Sequence, residues 1–233
     1  MNLIEHLLLL EPLDWIAGVA VLLAWAGIGW RIEHPSSKRP SVSVIMADYR
    51  RLWMIEFLRR DNRIFDAQMI GHLRQGTSFF ASTSILAIGG VLALVGNVDP
   101  LRGVAEEFTD IGSTPEFIWQ LKLLLVSFFL VFAFLRFVWA HRLFGYAAVV
   151  MGAVGPIADA KEEHKALQAA DLNIRASTNF TRGLRSMYFA LGTLAWIGGA
   201  GALLIATAAV TFVLWRREFN SVPREILLRK FEG

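Results

Sequence analysis

The sequence predicts an all-α polytopic membrane protein with four transmembrane helices and long cytoplasmic helical extensions. Two observations lead to this prediction. Of the 233 residues, 55% are hydrophobic, which exceeds the apolar share of an ordinary soluble domain. The apolar residues also gather in runs of about 18 or more, the length that crosses a hydrocarbon core of roughly 30 Å. We therefore expect a single membrane domain over residues 1–233.

The composition excludes several kinds of chemistry. The chain has no cysteine, which excludes disulfides, thiolate metal sites, iron–sulfur clusters and cysteine nucleophiles. The net charge is +3, and membrane topology explains the distribution of the charged residues better than a nucleic-acid-binding surface does. No nucleic-acid partner is therefore expected. The residues before the first apolar run include acids and no base, whereas a secretory signal peptide has basic residues there. We therefore expect the first span to be retained.

The first span is predicted at residues 13–30, between Trp15 and Trp30 at interface positions. A turn with two prolines follows, and apolar residues then recur at helical spacing, which predicts a helix over 41–74. Its apolar stripe shifts near Asp61 and Asn62, which predicts a kink there or two different packing partners. Five arginines keep this helix out of the hydrocarbon: Arg50, Arg51, Arg59, Arg60 and Arg63.

The second span is predicted at residues 79–96, and no helix breaker separates it from the charged helix before it. One of its faces is nearly all small, which is typical of spans that approach another helix closely. We interpret this face as a packing surface rather than a polar pathway. It contains Ser78, Ser82, Gly89, Ala93 and Gly96.

The third span is predicted at residues 117–140. Trp119 and Trp139 are twenty residues apart, about 30 Å along a helix, which matches the two interfaces of a bilayer. The apolar stretch 143–155 is too short to cross, so it is interpreted as a helical extension. With the charged residues that follow, it forms a second cytoplasmic segment at 143–185.

The fourth span is predicted at residues 187–215, longer than needed, so it should tilt or protrude. Small residues at its centre indicate another packing contact through Gly198, Gly199 and Gly201. All seven prolines fall outside the four spans, so no span should be broken by proline.

Charge predicts the orientation. Basic residues dominate 31–77 and 141–186, which places both segments in the cytoplasm of a bacterial inner membrane, with the N-terminus and the acidic loop 99–116 outside. The tail after Trp215 is also basic, yet four spans starting outside would place it outside. We favour the outside tail, because the alternative requires 143–155 to cross the membrane.

Lys122 and Arg136 are the charges inside the third span. Each lies three residues inside a tryptophan, so snorkelling to the nearer interface is the favoured interpretation. The alternative is an anion or lipid-phosphate site at the mouths of the spans. It would be formed by Arg74, Lys122, Arg136, Arg142, Arg182 and Arg185.

His72 and His141 are predicted at the inner ends of the second and third spans, where they could face one another and hold a metal or haem. Interfacial hydrogen bonding is the favoured interpretation, so no cofactor is expected. The sequence contains no Walker loop, HExxH, GxSxG or GxGxxG, which favours a protein that is not an enzyme.

Three stretches resemble a bacterial and plant membrane family, the domain of unknown function 599. They are LRQGTSFFASTSI at 73–85, KLLLVSFFLVFAFLRFVWAHRL at 122–143 and NFTRGLRSMYFALGTLAW at 179–196. The resemblance implies a membrane protein with four spans. It implies no activity and supplies no catalytic or ligand residue for this chain.

Two functional hypotheses remain. The first is an oligomeric binding or scaffold protein in the lipid bilayer, which docks a partner membrane protein. The predicted spans contain no acidic residue beyond their first turn and no proline, and the sequence contains none of the catalytic motifs named above. These absences motivate the hypothesis. The second is an oligomeric channel or pore for small anions, lined by the basic residues named above.

Overall fold

The computed structural model describes residues 11–106, 115–157 and 159–229, except for the side chains of 104–106. Its helices are α1 (Pro12–Glu33), α2 (Val42–Leu58), α3 (Ile64–Gly96), α4 (Asp99–Glu106), α5 (Glu116–Gly152), α6 (Ala160–Thr193), α7 (Ala200–Phe219) and α8 (Val222–Leu228). A 3₁₀ segment, Leu194–Gly198, separates α6 from α7. Glu107 and Asp110 of the acidic loop, Lys230 of the tail and the first ten residues lie outside the described residues.

Four helical segments of the described chain are long and apolar enough to cross a membrane: α1, α3, α5 and Ala200–Leu228, which comprises α7 and α8. The all-α fold class with four such helices is confirmed. α5 has 37 residues, about 55 Å of helix, whereas a hydrocarbon core is about 30 Å thick. Part of α5 therefore extends beyond the length needed to cross.

α3 joins the end of the predicted charged helix to the second span without interruption, as expected from the absence of a breaker. The predicted kink near Asp61 is a complete break between α2 and α3. Asn62 Oδ1 accepts the backbone N–H of Ile64 and starts α3. Buried Asp66 then accepts hydrogen bonds from Trp53 Nε1 and from Arg60, both at 2.6 Å, and fixes the corner.

The fourth apolar run is not one helix, which differs from the predicted span at 187–215. The chain leaves α6 at Thr193 and enters α7 at Ala200. Between them Gly199 adopts φ 100°, a conformation that L side chains rarely adopt. Gly192 lies against Val210 and Ala206, so the end of α6 and the start of α7 form a hairpin around Gly199.

The described residues form two compact units. Unit 1 comprises the residues up to 31, 84–133 and 184–215; unit 2 comprises 32–83, 134–183 and the residues from 216 onward. Whether both belong to one membrane domain stays a prediction. In unit 1, the ring of Trp25 meets those of Phe128, Phe129 and Phe132 edge-on, with centroids 4.8–5.9 Å apart.

The core of unit 2 is built on the alanine-rich face of α6. Ala166, Ala169 and Ala170 are buried in one cluster with Phe57 and Phe144. Arg63 donates to the carbonyls of Val154 and Gly155 just after α5, where helix carbonyls lack partners within the helix.

The C-terminal segment of unit 2 lies against the start of α2. Arg224 Nε donates to the carbonyl of Pro40 at 2.9 Å, and Glu218 accepts two hydrogen bonds from Ser43, each 3.0 Å long. The loop predicted inside and the tail predicted outside are therefore neighbours in unit 2. The side of a membrane on which each of them lies stays a prediction.

Candidate functional site

Lys122 is buried in unit 1 and does not snorkel, in contrast to the favoured interpretation of the sequence. Its side chain is 6% exposed, its Nζ donates to the carbonyl of Trp196 at 3.0 Å, and it lies 5.0 Å from the ring centroid of Trp119. Trp196 Nε1 in turn donates to Asp14 at 2.6 Å. Lys122 thus holds the 3₁₀ segment, a partner that the sequence did not reveal because the break itself was not predicted.

Two further candidate bases have partners within unit 2. Arg136 donates to Asn179 Oδ1 at 3.0 Å. Arg182 binds Glu33 through Nε at 2.8 Å and through a second hydrogen bond from its terminal nitrogen. The hydrogen bond to Glu33 raises the pKa of Arg182 above its ordinary value. A paired guanidinium of this kind is typical of a structural contact.

The remaining candidate bases lie in different surroundings. Arg185, in unit 1, is 5% exposed and lies close to the backbone of Gly29. Arg74 and Arg142, in unit 2, are exposed. The contacts described for four of these bases go to a carbonyl, an amide, a carboxylate and an imidazole. An anion or lipid-phosphate site made from all six stays a prediction.

The imidazole of His141 contacts two residues of α3, Arg74 and Thr77. Its Nδ1 lies 3.3 Å from the carbonyl oxygen of Arg74 and 3.4 Å from Thr77 Oγ1, and its Nε2 lies 3.5 Å from Arg74. His72 is exposed. Over the described ranges, no group of three or more His, Asp or Glu side chains could hold a metal. That no cofactor binds stays a prediction, with a haem or metal between His72 and His141 as the alternative, and a visible absorption spectrum would test it.

The small-residue face of α3 is exposed. Its five predicted residues, Ser78, Ser82, Gly89, Ala93 and Gly96, all belong to the exposed class. A Cβ added at Gly89 or Gly96 would meet no atom within 4 Å. The opposite face of α3 carries the buried residues Thr77 and Ser84. Within the described chain, none of the five is buried against another helix.

The predicted glycine contact on the fourth run has a different role. Gly199 provides the turn, Gly201 faces open space, and a Cβ at Gly198 would lie 3.6 Å from Ala202 in the same segment. Close packing between helices occurs instead at Gly192, where a Cβ would lie 3.1 Å from Val210, and at Gly183 beside Phe137.

Unit 2 contains a cavity of about 200 Å³ with a polar lining, which we call the polar cavity. Helices α2 and α6 form its walls and the end of α7 closes it. Its polar lining consists of Ser43, Arg50, Ser177, Thr178, Thr181 and Glu218.

The two charged groups of the polar cavity have different neighbours. Arg50 donates to Asn173 Oδ1 at 2.6 Å, and burial lowers its pKa below the ordinary value. Asn173 is fully buried, and its Nδ2 has no hydrogen-bond partner among the described residues. Glu218 is held by the backbone N–H and hydroxyl of Ser43 in the first turn of α2, where the helix dipole favours a negative charge.

Sequence reasoning missed the polar cavity. Arg50 appeared as one of several arginines that keep a helix in water, and Glu218 as an acid within a basic tail. The available signal was local: Ser43, Met46 and Arg50 share one face of α2 at spacings of three and four. Glu218, which lies 175 residues after its partner Ser43, could not be identified from periodicity.

A larger cavity of about 410 Å³ lies in unit 1 and is almost wholly apolar. Trp15, Leu22 and Phe128 line it, with Asp14 as its charged group. Its chemistry is that of the lipid-facing surface of an apolar helix, so it offers little selectivity for a solute.

Comparison with known proteins identifies one family. The family model described as "Protein of unknown function, DUF599" matches residues 16–223. This range contains α1 to α7 almost completely and every polar residue that lines the polar cavity. No curated protein and no solved structure matches the chain.

Proposed function

Since the chain belongs to the DUF599 family of proteins of unknown function, we propose its role from the geometry of its surfaces: an oligomeric binding or scaffold protein of a bacterial inner membrane. In this proposal, residues 31–77 and 141–186 are cytoplasmic and dock a partner there. The observation that carries the proposal is the exposed small-residue face of α3.

Self-association through α3 follows from the way helices pair in lipid. Apolar side chains gain little by leaving lipid, so spans associate where small residues allow the backbones to approach. The α3 face presents small residues over about five turns, from Ser78 to Gly96, with open space at Gly89. A second copy of this face is the occupant that we propose.

Replacement of Gly89 by leucine tests this contact. A leucine side chain at this position would keep two α3 backbones apart, so the oligomer should dissociate to monomer in blue-native electrophoresis and in light scattering with detergent. Gly27→Leu is the matched control, because Gly27 is also an exposed helical glycine with open space and lies on α1. Monomeric wild-type protein, or an oligomer that tolerates Gly89→Leu as well as Gly27→Leu, would contradict the proposal.

Partner docking is proposed on the exposed face of α2. Tyr49 and Leu52 are 47% and 55% exposed, next to the surface ion pair of Asp48 with Arg51. An apolar centre with a charged rim is typical of a surface that binds another protein with a matching apolar patch.

Photocrosslinking in native membranes tests the docking surface. A photoreactive residue in place of Leu52 should capture one protein repeatedly, and Tyr49→Asp should abolish that capture. The same probe at Ile226, which is equally exposed at 55%, is the control. Identical adducts from positions 52 and 226 would contradict a specific docking surface.

The alternative of an oligomeric channel or pore for small anions has less support. Lys122 is occupied by a carbonyl and an indole ring, so it offers no open cationic mouth. An anion flux into liposomes that Arg136→Ala reduces would favour the channel over the scaffold.

A further inference from the structure

We propose that the polar cavity of unit 2 binds a small elongated zwitterion, a molecule that carries an ammonium group and a carboxylate separated by several methylene groups. The proposal stands on the geometry of this cavity and is independent of self-association through α3.

The carboxylate is recognised at the Arg50 end. A guanidinium has five N–H donors, and the hydrogen bond to Asn173 Oδ1 uses one of them. Arg50 lines the cavity, so its other donors are available to a planar carboxylate in a partly dehydrated setting. Asn173 does not itself line the cavity; its Oδ1 orients Arg50 from behind.

The ammonium is recognised at the Glu218 end. A carboxylate can accept about four hydrogen bonds, and Ser43 supplies two of them through its N–H and hydroxyl. These contacts orient the Glu218 carboxylate, while lone pairs remain for an N–H donor. Glu218 also repels a second carboxylate, so the ligand should enter in one orientation only.

The middle of the cavity fits a short chain with little polarity. Thr178 and Thr181 donate their hydroxyl protons to the carbonyls of Ile174 and Ser177, so they present acceptors and methyl groups. Val42, Met46 and Ala47 line the cavity from α2.

The length of the cavity selects among zwitterions. Ser43 and Arg50 are seven residues apart on α2, about 10 Å along the axis, so the groups that hold the two ends of the ligand start from well-separated backbone positions. The cavity has a volume of about 200 Å³. We therefore expect a linear ω-amino acid to fit it better than an α-amino acid.

Equilibrium dialysis of the full-length protein in detergent, with radiolabelled ω-amino acids, measures this binding. The probes are glycine, 4-aminobutyrate, 6-aminohexanoate and 8-aminooctanoate, with hexanoate and hexylamine as singly charged analogues. Affinity should pass through a maximum at 4-aminobutyrate or 6-aminohexanoate. No binding of any probe at 10 mM, or equal binding of either singly charged analogue, would overturn the proposal.

Paired variants localise the binding. Arg50→Gln and Glu218→Gln should each weaken it about tenfold or more, as loss of a hydrogen bond to a charged group does. Arg59→Gln and Glu225→Gln, at exposed positions of the same unit, should leave it unchanged. If Arg50→Gln does not fold by circular dichroism, Arg50→Lys replaces it, and this variant should retain charge recognition with reduced affinity. Equal binding by wild type and Glu218→Gln would overturn the assignment to this cavity.

Discussion

Gly183 lies where α6 passes the ring of Phe137 most closely. A Cβ at position 183 would lie 2.6 Å from Cε1 of that ring. The ring is fully buried and cannot withdraw easily, because Phe80 stacks on it at 5.4 Å and Phe180 lies 5.5 Å away. The absence of a side chain at 183 is therefore a packing requirement.

Gly183→Ala should destabilise the protein through this overlap. Forcing one extra carbon into a packed core costs about 1–3 kcal/mol. Thermal unfolding in detergent, followed by circular dichroism, measures the loss. Gly76→Ala is the control, because a Cβ there meets nothing within 4 Å, and replacing a helical glycine by alanine should stabilise by about 0.5–1 kcal/mol. Similar effects of the two substitutions would contradict the packing argument.

Glu162 connects the first turn of α6 to the segment after α5. It accepts hydrogen bonds from Lys165 Nζ at 2.7 Å and from the backbone N–H of Gly155. The hydrogen bond from Lys165, followed by that from Gly155, lowers the pKa of Glu162. A carboxyl with a lowered pKa in the folded state stabilises the fold while it is ionised.

Glu162→Gln should therefore lower the thermal midpoint at pH 7 but not in acid. The stabilisation by Glu162 is fully present above the unfolded pKa of about 4.3 and is lost as the pH falls through the lower folded pKa. Wild-type and variant midpoints should converge below about pH 4. Glu163→Gln, at the exposed next position, should change little at either pH. A constant difference between wild type and Glu162→Gln across this range would exclude the ionic contribution.

The surroundings of a candidate-site residue could be predicted only where its partners are close to it in the sequence. Buried Lys122 donates to the carbonyl of Trp196, 74 residues later in the chain. This carbonyl is available because it lies in the break between two helices. The polar cavity likewise needs Glu218 next to Ser43. Periodicity describes one helix at a time, so it places a residue on a face but does not identify the facing residue.

The turn between α6 and α7 was not predicted from the sequence, and neither was α4, which lies in the predicted loop 99–116. Gly198, Gly199 and Gly201 fit a small-residue packing face equally well, and a run of 29 apolar residues without proline suggests a single span. The continuity of α3 was predictable, because its sequence contains no breaker and the helical period continues through it. Glycine is compatible with both a packed helix and a turn, so its presence does not distinguish between them. The φ of 100° at Gly199, which identifies the turn, is seen only in the folded structure.

Gly199→Ala should destabilise the hairpin. An L side chain at φ 100° and ψ 170° is strained by about 1–3 kcal/mol, whatever space surrounds it. The thermal midpoint in detergent should fall accordingly. Gly201→Ala is the matched control two residues later, within α7 and with open space around it, and should be neutral or stabilising. A Gly199→Ala variant as stable as the control would indicate that the turn relaxes without strain.

At the scale of the whole molecule, the contacts between the tail and the loop after α1 bear on the distribution of basic residues across the membrane. The basic tail conflicted with the positive-inside rule as long as it was placed outside. Its hydrogen bonds to residues 40–43 join it to the first basic segment. We therefore predict that the tail and this segment share one side of the membrane, which would remove the exception to the rule.

Cysteine labelling of the membrane-inserted protein tests this topology directly, because the natural chain has no cysteine and every single-cysteine variant has one reactive site. Ser37, in the loop after α1, and Asn220, in the tail, are both exposed in unit 2. Asn97, at the end of α3, is exposed in unit 1 and serves as the opposite reference. A membrane-impermeant maleimide should label Ser37→Cys and Asn220→Cys from the same face, in inverted vesicles, and Asn97→Cys from the other face, in spheroplasts. Labelling of positions 37 and 220 from opposite faces would restore four simple crossings and contradict the hydrogen bonds between the loop and the tail.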